Sequence, residues 1–414
     1  MNKEVISAIK VLFIAFLAYL FSYMDRMAWA PIIPLASKDL GINAAQAGSL
    51  MTAFYLGYVI TQVPGGYLTD KYGYRKMLLT SFLITGFFTI LTSFVHSYGL
   101  AFLVRFIAGM GSGAIFSAGI VAITDWFTEK RRGAAMGFFM TSTSFGISLV
   151  NLFVPSVAHG FGWRTAFLIT GSLPFIGLIL GYFLLKERTP VHQISKKQST
   201  SWHDIVSLLK NKNIILMGIA GLGGQWATVG TATWANTYLI KSLHLSLVEA
   251  GAIMSLFGTA ALLCKPLTGF LSDYLDRKSL AVGILLLAVP VLSWFGANQN
   301  ISILYFIAPM MGICVYAFYP VLQTIIYNLV DRRLVGTTSG LVNGMWQIGS
   351  LTAPLAVGAV IDATQNYFYC FLTLAAGPLL GAIATILIKV EKKTVADKVD
   401  TKETALLVEA QKIS

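Results

Sequence analysis

Twelve apolar runs, each long enough to cross a bilayer as a helix, follow one another at residues 11–36, 46–68, 77–95, 100–124, 133–156, 165–185, 213–240, 248–271, 279–297, 301–328, 336–361 and 368–389. A hydrocarbon core about 30 Å thick takes about 20 helical residues to span. Inside it every backbone N–H and C=O must bond within the protein, so helices are what such runs can form. Only 12% of the residues are charged and the mean hydropathy is +0.71, whereas soluble domains are about a quarter charged. The expected fold class is an all-α membrane protein of twelve transmembrane helices. The first run contains Asp25 and Arg26, is too long for a signal peptide and lacks a small-residue cleavage site, so it is expected to be retained.

A formal net charge of +12 would suit a nucleic-acid partner, so the positions of the charges decide. With both termini placed in the cytoplasm, only Lys38, Arg164 and Lys241 fall outside, and only Arg26, Arg105 and Lys265 fall within spans. The remaining Lys and Arg lie in inner loops and tails. That bias orients the chain by the positive-inside rule and removes the nucleic-acid reading. The expected setting is a plasma membrane, of the bacterial inner type. Cys264, Cys314 and Cys370 all lie in spans, as small packing residues rather than disulfide partners.

The chain repeats itself at an offset of 203 positions: Gly48/Gly251, Met51/Met254, Phe54/Phe257, Gly66/Gly269, Leu68/Leu271, Asp70/Asp273, Gly109/Gly312 and Gly137/Gly340. The expected organisation is therefore a six-helix half over 1–185, a polar linker over 186–212, a second half over 213–390 and a tail over 391–414. Two repeats with a path between them near the midplane is the logic of alternating access.

GYLTDKYGYRK, Gly66 to Lys76, resembles the signature loop of the major facilitator superfamily, and GFLSDYLDRK, Gly269 to Lys278, is its degraded echo. Arg105 with Gly109 and Gly111 resembles the superfamily's fourth helix. The resemblance covers nearly the whole chain and implies that fold. In the loop, Gly66 is expected to let two helices approach closely. Asp70 can complement a helix N-terminus or pair with loop cations such as Arg75. The plain alternative is a charged loop that serves topology alone.

Of the 18 acidic residues, only Asp25 lies deep in a span. A carboxylate withdrawn from water favours its neutral form unless a cation answers it, so Asp25 is the candidate for proton exchange. Arg26, Arg105 and Lys265 leave an excess of positive charge around it, which calls for an anion. Each has a structural alternative: an ion pair for Asp25 or Arg26, and snorkelling of Arg105 outward or Lys265 inward.

YMDR, Tyr23 to Arg26, resembles a stretch of the anion:cation symporters within that superfamily, the group of sugar-acid, hexuronate, phthalate and sialic-acid transporters. The likeness continues through AFYLGYVITQVPGGYLTDKYG, WANTYL and SGLVNGMWQIGSLTAPLAVG. It implies that Arg26 and Arg105 bind a substrate carboxylate, that Asp25 carries a proton, and that Tyr58 and Asn343 bind hydroxyls. Gln62, Gln347, Tyr23 and Gln323 supply further polar groups around that clamp, and Trp226, Trp234 and Trp346 offer rings for stacking. Three positions depart from the family pattern: Ser112 replaces a glutamate, Thr143 a glutamine and Gln323 a tryptophan. Lys265 lies outside the pattern, and an extra cation suits a dianion.

His96, His159, His192, His203 and His244 show no metal-ligand spacing, and no P-loop or nucleophile motif occurs, so neither an enzyme, a metal site nor a cofactor is expected. The expected function is proton-coupled uptake of a small organic anion, by a monomer in the bilayer. Protonation of Asp25 on the outer side would free Arg26 for the anion, and inward release of the proton would help expel it. A proton-coupled drug exporter and an organophosphate exchanger are the rivals. The first handles cations with excess buried acid, and the second leaves Asp25 without a coupling role.

Overall fold

The computed structural model describes residues 3–186, 202–330 and 334–389. Most of the expected linker, from 187 to 201, and the tail over 391–414 lie outside the described residues. The first crossing comprises α1 (Lys3–Met27), a 3-10 turn (Ala30–Ile32) and α2 (Ile33–Leu40). Next come α3 (Ala44–Tyr72), α4 (Tyr74–Thr92), α5 (Tyr98–Ser112) with α6 (Ile115–Trp126), α7 (Glu129–Phe161) and α8 (Trp163–Leu184). A short α9 (Trp202–Lys210) precedes α10 (Lys212–Lys241), α11 (Leu247–Tyr274), α12 (Arg277–Ala297), α13 (Ile301–Tyr316) with α14 (Phe318–Leu329), α15 (Val335–Thr364) and α16 (Tyr367–Leu387).

Among the described residues, 11 segments are long and apolar enough to cross a membrane. The remaining crossing, α3, has 29 residues, about 43 Å of helix at 1.5 Å per residue. Gly48, Thr52, Gly57, Thr61 and Gln62 make it less apolar, and it packs between α5 and α15. Three expected helices are interrupted. The first breaks after Met27 because Pro31 has no N–H to offer the Met27 carbonyl. The fourth and tenth break at Gly113–Ala114 and at Ala317.

The offset of 203 holds in three dimensions. Ala44 and Leu247, Tyr74 and Arg277, Tyr98 and Ile301, and Ile115 and Phe318 begin equivalent helices. A Cβ on Gly109 would stand 2.0 Å from the Phe54 carbonyl oxygen, and one on Gly312 would stand 2.2 Å from that of Phe257. The repeated residues thus make the same backbone contact in both sets of helices. In the signature loop the close approach falls at Gly65, whose Cβ would meet Ala114 at 2.8 Å. Gly66, expected to serve there, has only an ordinary 3.5 Å contact with Ser117.

Two seams join the sets at the face opposite the chain's ends. In one, α3 meets α15: a Cβ on Gly48 would lie 2.1 Å from the Pro354 oxygen, and Thr52 donates to the Leu351 carbonyl at 2.7 Å. In the other, α7 meets α11: a Cβ on Gly251 would lie 2.3 Å from the Asn151 oxygen, and Ser148 donates to the Ser255 carbonyl at 3.2 Å. These pairs occupy equivalent positions of the repeat. The Asp362 carboxylate adds a clasp to the first seam, accepting from the Ala44 and Ala45 N–H groups at 3.0 and 2.7 Å, the first turn of α3. Toward the face carrying the described chain ends, α6 packs on α1, α3, α4 and α7 and α14 on α10, α11, α12 and α15, each within its own set. The two sets are closed at the far face and parted at the terminal face.

Candidate functional site

Asp25 and Arg26 lie in the last turn of α1, just before the break, and face different neighbours. Asp25 is buried and neither carboxylate oxygen has a hydrogen-bond partner. It is directed toward Arg105 of α5 and Thr89 of α4, whose hydroxyl is close without meeting hydrogen-bond geometry. The coupling scheme read from the sequence set Asp25 against Arg26; in the structure the cation acting on Asp25 is Arg105, beyond ion-pair distance.

Arg26 points instead into a cage of rings. Its guanidinium carbon lies 4.2 Å from the Tyr58 centroid, 4.9 Å from Tyr55, and 5.5 Å from both Tyr23 and Phe54. Aromatic faces answer a cation without occupying its N–H groups. The adjacent donors Nε and Nη2 are accordingly buried with no partner. They form one edge of the guanidinium, the edge that grips a carboxylate in two parallel bonds.

Arg105 does not snorkel. Its Nε donates to the Leu50 carbonyl at 2.9 Å and its Nη2 to the Arg26 carbonyl at 3.0 Å. The break leaves the Arg26 carbonyl at the end of α1 without its helical donor, and a cation there also meets the negative end of the helix dipole. Arg105 thus ties α1 to α3, whereas the resemblance implied a ligand for a carboxylate.

Lys265 does not snorkel either. From α11 its Nζ donates to Thr143 of α7 at 2.9 Å and lies 5.1 Å from the Tyr316 ring centroid. Tyr316 meets Tyr23 hydroxyl to hydroxyl at 3.3 Å. Arg26 and Lys265 therefore stand on either side of a tyrosine pair contributed by the two sets of helices.

On α15, Asn343 and Gln347 lie one turn apart, and their carbonyl oxygens Oδ1 and Oε1 are buried without partners. Gln323 on α14 is half-buried beside Tyr319, and Gln62 on α3 is half-buried one turn from Tyr58. The tryptophans are fasteners rather than stacking platforms. Trp234 donates to Pro354 at 3.0 Å in the far seam, Trp226 to Thr373 at 3.0 Å, and Trp346 to Met217 at 2.9 Å. Gly66, Asp70 and Arg75 lie apart from the cage. Asp70 is exposed, with no ion-pair partner among the described residues, while Arg75 donates to the Tyr182 carbonyl at 2.9 Å. Ser112 meets the Thr85 hydroxyl at 3.3 Å and donates to the Ala108 carbonyl at 3.4 Å, so a hydroxyl rather than a second acid stands there.

Sequence reasoning missed Tyr19, Tyr55, Tyr316 and Tyr319, which complete the ring lining. Their spacing was the available signal. Tyr19 and Tyr23 are four apart, while Tyr55 and Tyr58, like Tyr316 and Tyr319, are three apart, which puts each pair on one face.

The pattern of the Major Facilitator Superfamily matches residues 15–261 and 232–413. The probable galactarate/D-glucarate transporter GudP of Bacillus subtilis is 24% identical, over 91% of this chain and 91% of its own. The hexuronate transporter of the same organism is 24% identical, over 91% and 93%. The probable sulfoacetate transporter SauU of Cupriavidus necator is 23% identical, over 94% and 95%. Among solved structures, a bacterial homologue of the human lysosomal transporter Spinster, inward-facing and unoccupied, superposes with a TM-score of 0.77 at 16% identity, covering 94% of this chain and 95% of that one. With two matched stretches that together take in both sets of helices, this multi-pass membrane chain belongs to the Major Facilitator Superfamily.

Proposed function

We propose that the protein takes up a small organic anion of the sugar-acid class together with protons, by alternating access between halves 1–185 and 213–390. The observation that carries this reading is the Arg26 edge, two buried donors without partners inside a cage of rings. A substrate carboxylate satisfies both donors at once. Asn343 and Gln347 offer acceptors for substrate hydroxyls. Lys265 beyond the tyrosine pair answers a second acid group, which makes dianions the preferred substrates. The relatives named for galactarate, glucarate and sulfoacetate support the same class. An exporter of cations would find no acid beside Arg26.

Proton coupling runs through Asp25 and Arg105. When Asp25 takes a proton from the outer side, Arg105 loses its counter-charge, and the positive field around the α1 break rises. An anion in the cage is then favoured, so proton and substrate bind cooperatively. Closure of the outer face and parting of the inner one deliver both, and ionisation of Asp25 removes the excess field. The terminal face is cytoplasmic in this reading, the membrane is a bacterial inner membrane, and the working unit is a monomer.

Asp25→Asn fixes the neutral state. Reconstituted vesicles with this variant should exchange labelled substrate without a gradient, yet fail to concentrate it when a pH gradient is imposed. Accumulation by the variant would remove Asp25 from coupling. Competition of uptake by sugar acids, monocarboxylates, dicarboxylates and organophosphates identifies the class, and an advantage for organophosphates would favour the exchanger.

A further inference from the structure

The far face carries few cations, as the positive-inside rule requires of an outer surface, and their placement is uneven. Arg164 is ion-paired with Asp39, which Trp163 also engages at 3.1 Å. The other two, Lys38 at the end of α2 and Lys241 at the end of α10, are exposed and have no ion pair or hydrogen bond among the described residues. Both line the same cavity, of about 250 Å³, above the sealed gate. Trp234 is part of its lining, and so are Ser37 and Thr237, whose hydroxyls are buried without partners, Thr237 being only 3% exposed. Asp362, which accepts from the N–H of the lining residue Ala44, has both oxygens engaged by the first turn of α3. Two unanswered cations and two unanswered hydroxyls thus line one cavity, and none of its lining side chains is acidic.

The geometry points to a second anion site at this mouth, separate from the central cage, in which Lys38 and Lys241 hold a small carboxylate or phosphate anion from the outer solution. Ser37 and Thr237 donate to its remaining oxygens. The volume is below the roughly 300–1,000 Å³ of ordinary ligand clefts, which restricts the occupant to a small molecule. Lys38 and Ser37 belong to one set of helices, and Thr237 and Lys241 to the other. The four converge only while the far seams are closed, so an anion held there stabilises the closed outer gate. The site does not depend on which anion the cage carries.

Ser242 is exposed beside Lys241 and outside the lining, so Ser242→Cys can carry an environment-sensitive fluorophore. In phosphatidylcholine nanodiscs at low salt, titration with succinate, citrate or inorganic phosphate should give a saturable signal with at least one of the three. The signal should persist in Arg26→Gln protein, where the central cage has lost its cation. Lys38→Gln combined with Lys241→Gln should weaken it by about tenfold or more, each tenfold being about 1.4 kcal/mol. An unchanged curve in the double lysine variant, loss of the signal with Arg26→Gln, or no response to any of the three anions overturns the site. A signal produced only by phosphatidylglycerol in the disc assigns the lysines to a lipid headgroup and overturns the soluble-anion site as well.

Discussion

Three cations within spans, alike in the sequence, have three different environments. Arg26 is surrounded by rings and keeps a free edge, Arg105 is bound to two carbonyls, and Lys265 bridges α11 to α7 through Thr143. Arg105→Lys keeps the charge but loses the planar fork, and one ammonium cannot reach both the Leu50 and Arg26 carbonyls in the same geometry. A buried polar group left unpaired costs about 1–3 kcal/mol, so the variant should melt at lower temperature as well as bind substrate less tightly. A normal melting temperature with weakened binding would make Arg105 a direct ligand instead. Lys265→Gln should discriminate by charge. Uptake of a dicarboxylate should fall by about tenfold relative to a monocarboxylate, the equivalent of about 1.4 kcal/mol; an unaltered substrate profile would confine Lys265 to its Thr143 contact. The deep polar positions, Asp25, Arg26, Asn343 and Gln347, were legible because polarity inside an apolar run needs a reason. Tyr19, Tyr55, Tyr316 and Tyr319 were not, because a tyrosine in a membrane helix reads as packing until its neighbours are known. Trp234, read as offering a ring for stacking, has its indole N–H in the far seam.

At the scale of helices, the repeat was legible because its fixed points are glycines that admit another backbone. Gly109 and Gly312 each receive the carbonyl of a phenylalanine one repeat apart. Gly312→Val should force α13 off α11 and cost about 1–3 kcal/mol in overpacking, and Gly109→Val should do the same to α5 and α3. Matching losses of thermal stability would show that the two contacts are energetically as well as geometrically equivalent. The interruptions were less legible. Pro31 sits in a run whose composition is continuous, Pro320 denies a donor to the Tyr316 carbonyl in the same way, and the break at Gly113–Ala114 has no proline. What betrays them is function of place: the first break releases the Arg26 carbonyl to Arg105, and the third seats Tyr316 against Tyr23.

For the molecule as a whole, the far seams determine which face is open. Hydrogen bonds to a charged group are worth about 1.5–3 kcal/mol, and the Asp362 clasp makes two. Asp362→Asn retains the shape and removes the charge. It should raise the rate at which an impermeant maleimide labels Thr52→Cys in the seam, measured against Thr52→Cys alone, and equal rates would reduce the clasp to ordinary capping. The seams share their glycine and hydroxyl contacts but not this one, because the position equivalent to Asp362 is His159. Both α3 and α11 carry a capping box of their own, Asn43 with Gln46 and Ser246 with Glu249, and α3 receives the opposite helix's carboxylate besides. A structure with a carboxylate catch at the far end of one edge and only neutral contacts at the same level of the other behaves as a door. The α7–α11 edge is its hinge post and the α3–α15 edge its free margin, so the far mouth is expected to part first as a wedge on the side that Asp362 guards.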